Sequence, residues 1–231
     1  SQDALKVADD GMLFKNIVKS VARKHGLAAS FMAKPFAQRP RSGLHMHLSI
    51  VDENGVNIFD NGDAHGSSML HHAVAGVLAA MPESMLLFAP HLNSYRRLKP
   101  EQHAPMVACW GYENRTAAVR IPGGPSSQRR IEHRVAGADA NPYLTVAAML
   151  AGALYGIEHK LKPSEPVEGD AGDVIPELPH FWNDAITTFE ESRFIRDYLG
   201  AELQDNYVRC KRQEKHEFDS RVTLMEYDAL L

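Results

Sequence analysis

The residues best suited to chemistry lie in the stretch NRTAAVRIPGGPSSQRRIEHR, residues 114–134. Apolar and polar residues alternate on both sides of a Gly/Pro/Ser segment, which predicts two strands joined by a loop. In the second strand Arg130, Glu132 and Arg134 share one face, because side chains repeat every second residue. A carboxylate flanked by guanidiniums, with two more arginines upstream, suits the binding of carboxylates and phosphates. A solvated edge strand carrying ion pairs fits the same pattern.

A second polar face is predicted in LHMHLSI, residues 44–50. His45, His47 and Ser49 alternate with apolar residues and therefore point to the same side of a strand. Imidazole serves both proton transfer and metal binding. Two histidines at i and i+2 favour a ligand or substrate face about as strongly as an ordinary core or surface position.

Helices and short strands must position these two faces. The spacing of apolar residues predicts helices at 4–25, at 67–81, from Asn141 and Pro142 to about 161, and twice after 181 with a break near Gly200. A buried strand is predicted at 27–32, and the Asn54 and Gly55 turn predicts a hairpin into 56–59. The polar, proline-rich segment 90–105 is predicted to be a surface loop or flap.

Composition narrows the class of protein. The 231 residues suffice for one large domain or two small ones, and 44% hydrophobic with 23% charged residues is ordinary for a globular protein. A net charge of −4 argues against nucleic-acid and anionic-membrane partners. Two cysteines give no disulfide framework, and neither a secretory segment nor a bilayer-spanning run is evident, so a cytoplasmic location is expected. The chain begins at Ser1 without methionine, which we interpret as part of a longer protein.

Six motifs in order resemble the C-terminal catalytic domain of glutamine synthetase, over nearly the whole chain: FMAKP, SGLHMH, NSYRRL, ENRTAAVRIP, RRIEHR and ANPYLTVAAMLAG. The segments WGYENRTAAVRIP and IEHRVAGADANPYL are most similar in sequence to the γ-glutamyl-polyamine (putrescine) ligase branch. The resemblance implies an α+β fold, with a curved, mainly antiparallel sheet forming an open barrel or funnel inside a layer of helices. Residues 1–231 would then be a single catalytic-domain fragment that lacks the N-terminal β-grasp domain.

The same resemblance implies an activity and its partners. Family members use ATP and Mg²⁺ (or Mn²⁺) to phosphorylate the γ-carboxylate of glutamate, and an amine or ammonia then displaces phosphate. They assemble as stacked rings, so a homo-oligomer is expected for the full-length protein. We expect small-molecule substrates and neither nucleic acid nor membrane as partners.

Site residues carry over from the matched motifs. His45 and Glu132 match ligands of one cation site. Arg97 matches the arginine on the glutamate α-carboxylate, and Arg115 the arginine on the transferred phosphoryl group. Arg134 matches a residue near the glutamate and phosphoryl oxygens. The positions that match nucleotide contacts are His47, Ser49, Arg120 and Arg130.

Three departures from the family qualify this assignment. His103 stands where glutamine synthetase proper has a flap glutamate, which favours a larger amine over ammonium, although Glu101 is close enough to substitute. Pro40 and Arg41 replace a frequent Asn-Gly, so the acid is held differently or is not glutamate. Several carboxylate cation ligands lie upstream of the matched region, so the chain alone is expected to be inactive.

Three alternatives remain at this point. The first is glutamine synthetase proper, with ammonia as the acceptor. The others are a non-catalytic family scaffold and a nucleotide-binding regulator without ligase activity. The retention of Arg97, Arg115, Arg120 and Arg134 argues against an inert scaffold.

Overall fold

The computed structural model describes residues 2–99, 104–173 and 178–231. Three of the four strands follow one another in the middle of the chain and the last five helices come after them, so the predicted α+β class is confirmed. The helices are α1 Ala4–Lys24, α2 Ser68–Phe88, α3 Leu92–Tyr95, α4 Pro142–Glu158, α5 Trp182–Glu191, α6 Arg193–Leu199, α7 Ala201–Asp219 and α8 Leu224–Leu230. The strands are β1 Met46–Leu48, β2 Trp110–Tyr112, β3 Val119–Ile121 and β4 Ile131–His133.

The four strands form one open, mixed sheet in the order β1-β4-β3-β2. β4 pairs antiparallel with both β1 and β3, whereas β2 and β3 run parallel. Both polar stretches singled out in the sequence therefore lie in the sheet, and the two strands predicted within 114–134 pair as expected. His47 and Arg120 lie opposite Glu132 on its two neighbouring strands. This register brings their side chains to one face of the sheet.

The crossing of α2 and α4 forms the centre of the hydrophobic core. The helices touch through their backbones, because a Cβ placed on Gly76 would lie 2.1 Å from the Gly152 oxygen. By length and composition α2 could cross a membrane, which was not expected from the sequence. However, 72% of its most apolar window is buried inside the fold, so its hydrophobicity is that of a core helix.

Several predicted boundaries are confirmed. Gly26 and Gly200 stand at the expected helix breaks with φ values of 69° and 96°, which glycine adopts without steric cost. The Asn141 side chain accepts hydrogen bonds from the first turn of α4. Gly55 turns the predicted hairpin with φ 78°, although only a single bridge, between Val51 and Asn57, links its arms.

Four predicted elements were wrong. The segment 90–105 was predicted to be a surface loop, but its described part contains α3, and Ser94, Tyr95 and Arg97 are buried. Residues 27–32 form no strand, because no described strand lies beside them, and Leu27 is 68% exposed. α2 continues past residue 81 through Pro82 to Phe88. A proline inside a helix costs about 3 kcal/mol, and the fully packed last turn of α2 outweighs that cost. The C-terminal part has four helices rather than two, because Ser192 and Thr223 cap additional starts.

His133 makes a pH-dependent contribution to stability. The side chain is fully buried against Phe88, and neither ring nitrogen has a partner among the described residues. Burial, and then the charge of Arg97, lower its pKa to about 3. Between pH 6.5 and about 3, the unfolded chain therefore binds more protons than the folded protein. The free energy of unfolding falls as the pH drops through this window.

We expect His133→Leu to remove this slope, which amounts to about 1.4 kcal/mol per pH unit. The variant should also be slightly more stable than the wild type at pH 7, since it buries no unpaired nitrogen. Urea unfolding at several pH values measures both effects. Parallel pH profiles for variant and wild type would contradict the assignment.

Candidate active site

The two predicted polar faces meet where β1 pairs with β4. His45 Nδ1 lies 3.2 Å from Glu132 Oε1. Arg130 Nε donates to His47 Nδ1 at 3.2 Å. Arg134 lies 3.4 Å from the same nitrogen of His45 that faces Glu132. The expectation that these residues line one site is therefore met by the geometry.

Glu132 is the anchor of the site. It is only 3% exposed. One carboxylate oxygen accepts a 2.8 Å hydrogen bond from Arg120, and the other accepts a 2.6 Å hydrogen bond from Arg134. Burial raises the pKa of Glu132, but the hydrogen bonds and charges of the two guanidiniums outweigh it, so the net pKa is lowered. One carboxylate thus fixes two guanidiniums.

Glu113 is a member of the site that the sequence did not indicate. Its carboxylate accepts a 2.7 Å hydrogen bond from Arg120 and another from the backbone N–H of Gly123. The residue adopts φ 53°, uncommon for a side chain larger than glycine. Glu113 therefore ties the loop between β3 and β4 to Arg120, a contact that no local sequence pattern signals.

The histidines face the site as neutral rings. Burial, followed by the charge of Arg134, lowers the pKa of His45, and the attraction of Glu132 does not offset this. Burial also lowers the pKa of His47. Neutral imidazole is the form that can bind a cation or accept a proton. Ser49 lies one residue beyond the end of β1, exposed, at a groove of about 960 Å³ that His45 and His47 also line.

Arg97 lies beside a separate cavity of about 400 Å³, which Arg41, His45 and Arg134 also line. It is 4% exposed and donates to the backbone oxygens of Val135 at 2.6 Å and Arg134 at 3.3 Å. Burial, then the charge of Arg41, lowers the pKa of Arg97 to about 10. Its Nε has no described hydrogen-bond partner. A buried guanidinium with an unused donor beside a cavity suits an anionic ligand.

Two predicted residues are not joined to this cluster. Arg115 is exposed and lines a pocket of about 580 Å³ with Glu113. The Asn114 side chain holds that turn by bonding to Thr116 and to the Val167 oxygen. No hydrogen bond links Arg115 to the rest of the cluster within the ranges that the structure covers. His103 lies outside the described residues.

A divalent cation is not fully accommodated by this chain. His45 and Glu132 form a two-residue pair, and the described residues contain no group of three or more His, Cys, Asp or Glu side chains that could hold a metal. Both oxygens of Glu132 already accept guanidinium hydrogen bonds. Mg²⁺ takes about six ligands, mostly oxygens, so two side chains do not make a complete site.

Comparison with known proteins identifies the family. The family model described as "Glutamine synthetase, catalytic domain" matches residues 1–230. The chain belongs to the glutamine synthetase family. The resemblance read from the motifs is thus confirmed, and family members generally use ATP and divalent metal ions.

Curated relatives include ligases for different acceptors. The chain is 40% identical to gamma-glutamylputrescine synthetase PuuA of Escherichia coli (strain K12), over 100% of this chain and 49% of that protein. It is 39% identical to glutamate–isopropylamine ligase of a Pseudomonas species, over 97% and 50% of the two chains. It is 38% identical to glutamine synthetase of Pyrococcus abyssi (strain GE5 / Orsay), over 92% and 50%. The chain thus spans about half the length of the curated relatives it matches.

A solved structure supports the fold assignment. The structure described as "Apo GmaS without ligand" superposes with a TM-score of 0.89 at 35% identity, covering 99% of this chain and 54% of the other. At that similarity the arrangement of helices and the small open sheet is the glutamine synthetase-type fold.

Proposed function

We propose that the chain is the catalytic domain of an ATP-dependent ligase that joins the γ-carboxylate of glutamate to an amine through γ-glutamyl phosphate. The observation that carries the proposal is the Arg120–Glu132–Arg134 array, buried beside His45 and His47. Such an array holds guanidinium groups rigidly at the place where phosphoryl and carboxylate oxygens must be bound. Membership of a family that contains glutamate–amine ligases supports the same activity.

The proposed roles follow the geometry. The phosphate oxygens of the substrate ATP would contact Arg120 and Arg130, with His47 on the adjacent strand and Ser49 just beyond its end. Glutamate would place its α-carboxylate at Arg97. Its γ-carboxylate would lie near Arg134, which Glu132 and His45 hold in place. We assign Arg115 to the transferred phosphoryl group on its motif alone.

The proposed reaction consists of two displacements. A γ-carboxylate oxygen of glutamate attacks the terminal phosphorus of ATP, and ADP leaves. The amine nitrogen then attacks the acyl carbon, the C–O bond to phosphate breaks, and the nitrogen loses a proton. Guanidiniums compensate the negative charge that develops on the oxygens in both steps. His103 is the proposed base for that proton.

We propose that the active enzyme is longer than this chain and supplies what the site lacks. The relatives are about twice as long, and the described residues provide only His45 and Glu132 for a cation. The further carboxylate ligands for Mg²⁺ or Mn²⁺, and a β-grasp domain completing a neighbouring subunit's site in a ring assembly, are assigned to the rest of the protein. The 231-residue chain alone is expected to be inactive.

An alkylamine or polyamine is the proposed acceptor. Relatives named for putrescine and isopropylamine match this chain at 40% and 39% identity, slightly above the Pyrococcus glutamine synthetase at 38%. His103 in place of a flap carboxylate points the same way, since a neutral ring attracts a small cation less than a carboxylate does. Glutamine synthetase proper is the second candidate, because relatives of that name are nearly as similar.

Phosphate release by the complete protein that contains this chain tests the proposal. With ATP, Mg²⁺ and glutamate, we expect kcat/KM for putrescine, spermidine or ethanolamine to exceed that for ammonium by about tenfold or more. The variant Arg23→Gln, which removes an exposed positive charge from α1, should keep the acceptor preference of the wild type. Preference for ammonium would identify a glutamine synthetase proper. No release with any acceptor would favour the scaffold.

A further inference from the structure

Arg41 is a guanidinium to which neither the family motifs nor the proposed mechanism gives a role. It lines the cavity of about 400 Å³ together with Arg97 and Arg134. Its side chain is partly buried, and it forms no ion pair with any residue in the described ranges. A partly buried guanidinium beside a cavity, without a carboxylate partner, has N–H donors that can bind an anion.

The backbone next to Arg41 is firmly anchored. Ser42 N–H donates to the Ala33 oxygen at 2.9 Å, and the Ser42 oxygen accepts from Ala138 N–H at 3.2 Å. Gly43 then forms a bridge with Gly137. The guanidinium is therefore attached to a fixed rim of the cavity rather than to a free loop.

The positive charge at this cavity is only partly compensated by the described carboxylates, because three arginines line it. Burial and then the charge of Arg134 lower the pKa of Arg41, as expected for like charges held close together. Glu132 is already shared by two other arginines and His45. Asp139 raises the pKa of Arg97, but one of its oxygens accepts a 2.6 Å hydrogen bond from Ser94. An anionic ligand would offset the remaining repulsion.

Gly43 sets how closely Arg97 approaches this rim. A Cβ at Gly43 would lie 3.0 Å from a terminal nitrogen of Arg97. The Arg97 fork therefore packs against the backbone just beyond Arg41, and both guanidiniums face the same small space. Two guanidiniums beside one space suit a carboxylate, because each terminal nitrogen of Arg97 donates to one backbone oxygen and carries a second N–H.

We propose that Arg41 determines specificity for the acid substrate by binding, together with Arg97, the carboxylate that does not react. The substrate class of this cavity is then a small dicarboxylic acid, with one carboxylate held by Arg41 and Arg97 and the other presented to Arg134. The inference rests on the proposed function for the identity of the reacting end. It differs from the family pattern, in which an Asn-Gly backbone occupies this position.

Steady-state kinetics of the complete protein test the role of Arg41. We expect Arg41→Gln to raise KM for glutamate about ten- to a hundredfold while kcat and KM for ATP change little. Arg41→Lys should recover part of the loss, since it keeps the charge without the fork. The matched control is Arg39→Gln, which removes an exposed arginine two residues away and should leave KM unchanged. An unchanged KM in Arg41→Gln, or a fall in kcat alone, would overturn the proposal.

Direct binding separates this inference from the proposed activity. Calorimetry without ATP would compare glutamate, glutarate and the monocarboxylate butyrate. We expect both dicarboxylates to bind more tightly than butyrate, and Arg41→Gln to weaken their binding about tenfold or more. If binding depends on Arg41 but the protein has no ligase activity, the role of Arg41 in binding is supported and the proposed function is rejected. Failure of the wild type to bind either dicarboxylate would overturn the inference.

Discussion

Replacing Glu132 with glutamine is expected to lower the free energy of unfolding by about 3 kcal/mol and to abolish ligation. The carboxylate is 3% exposed and lies between Arg120 and Arg134. Its removal leaves two partly buried guanidiniums without their shared counter-charge. The same change frees the two arginines from their fixed geometry, on which phosphoryl transfer depends.

Urea unfolding of the 231-residue chain measures the stability part of this prediction. The matched control is Asp10→Asn, which breaks the exposed Lys6–Asp10 pair at 3.2 Å and should cost no more than about 0.5 kcal/mol. Because the folded-state pKa of Glu132 is lowered, its contribution is present above the unfolded value of 4.5 and is lost as the pH falls through the folded value. The difference between variant and wild type should therefore shrink in acid. Equal stability at pH 7 would show that Glu132 does not anchor the site.

Replacing Gly76 with alanine is expected to be about as destabilising, by about 3 kcal/mol, for a reason unrelated to charge. The new Cβ would lie 2.1 Å from the Gly152 oxygen and 2.4 Å from the Gly156 nitrogen. Both obstacles are backbone atoms of α4, so no side chain can rotate away. The helices α2 and α4 must separate, and the packed surface between them loses contacts.

Gly11→Ala in α1 is the matched control for this change. It also replaces a glycine inside a helix, but its nearest neighbour would be Pro142 Cβ at 3.4 Å, an ordinary contact. Alanine is the better helix former, so this variant should gain about 0.5 to 1 kcal/mol. Thermal or urea unfolding compares the pair. Similar effects of the two substitutions would mean that helix propensity, and not the close crossing, decides the outcome at Gly76.

The polar faces could be predicted from the sequence because a strand repeats every two residues. Alternation within 44–50 and within 130–134 was enough to place His45 and His47 on one polar face and Glu132 on another. The pairing of β1 with β4 brings those faces together. It joins strands that are distant in sequence, and the periodicity of apolar residues does not predict it. The family resemblance implied that His45 and Glu132 lie at one site, and the observed pairing brings their strands together.

The features that the sequence did not predict depend on distant contacts. Glu113 gains its role from a loop that folds back to place Gly123 N–H against its carboxylate. α2 passes Pro82 because packing outweighs a local helix breaker. The apolar run 27–32 predicted a strand, but pairing needs a neighbour and the described chain places none there. Arg115 resembles the other site arginines in type, yet its turn places it at a different pocket.

Transfer of a labelled oxygen tests the central claim most directly. Glutamate carrying ¹⁸O in its γ-carboxylate would be incubated with ATP, Mg²⁺, an amine and the complete protein. Mass spectrometry would then follow the phosphate released. If ligation proceeds through γ-glutamyl phosphate, each phosphate carries one oxygen from the carboxylate, since the amine breaks the bond between the acyl carbon and that oxygen. Phosphate without the label, released alongside γ-glutamylamide or with no amide at all, would contradict the account.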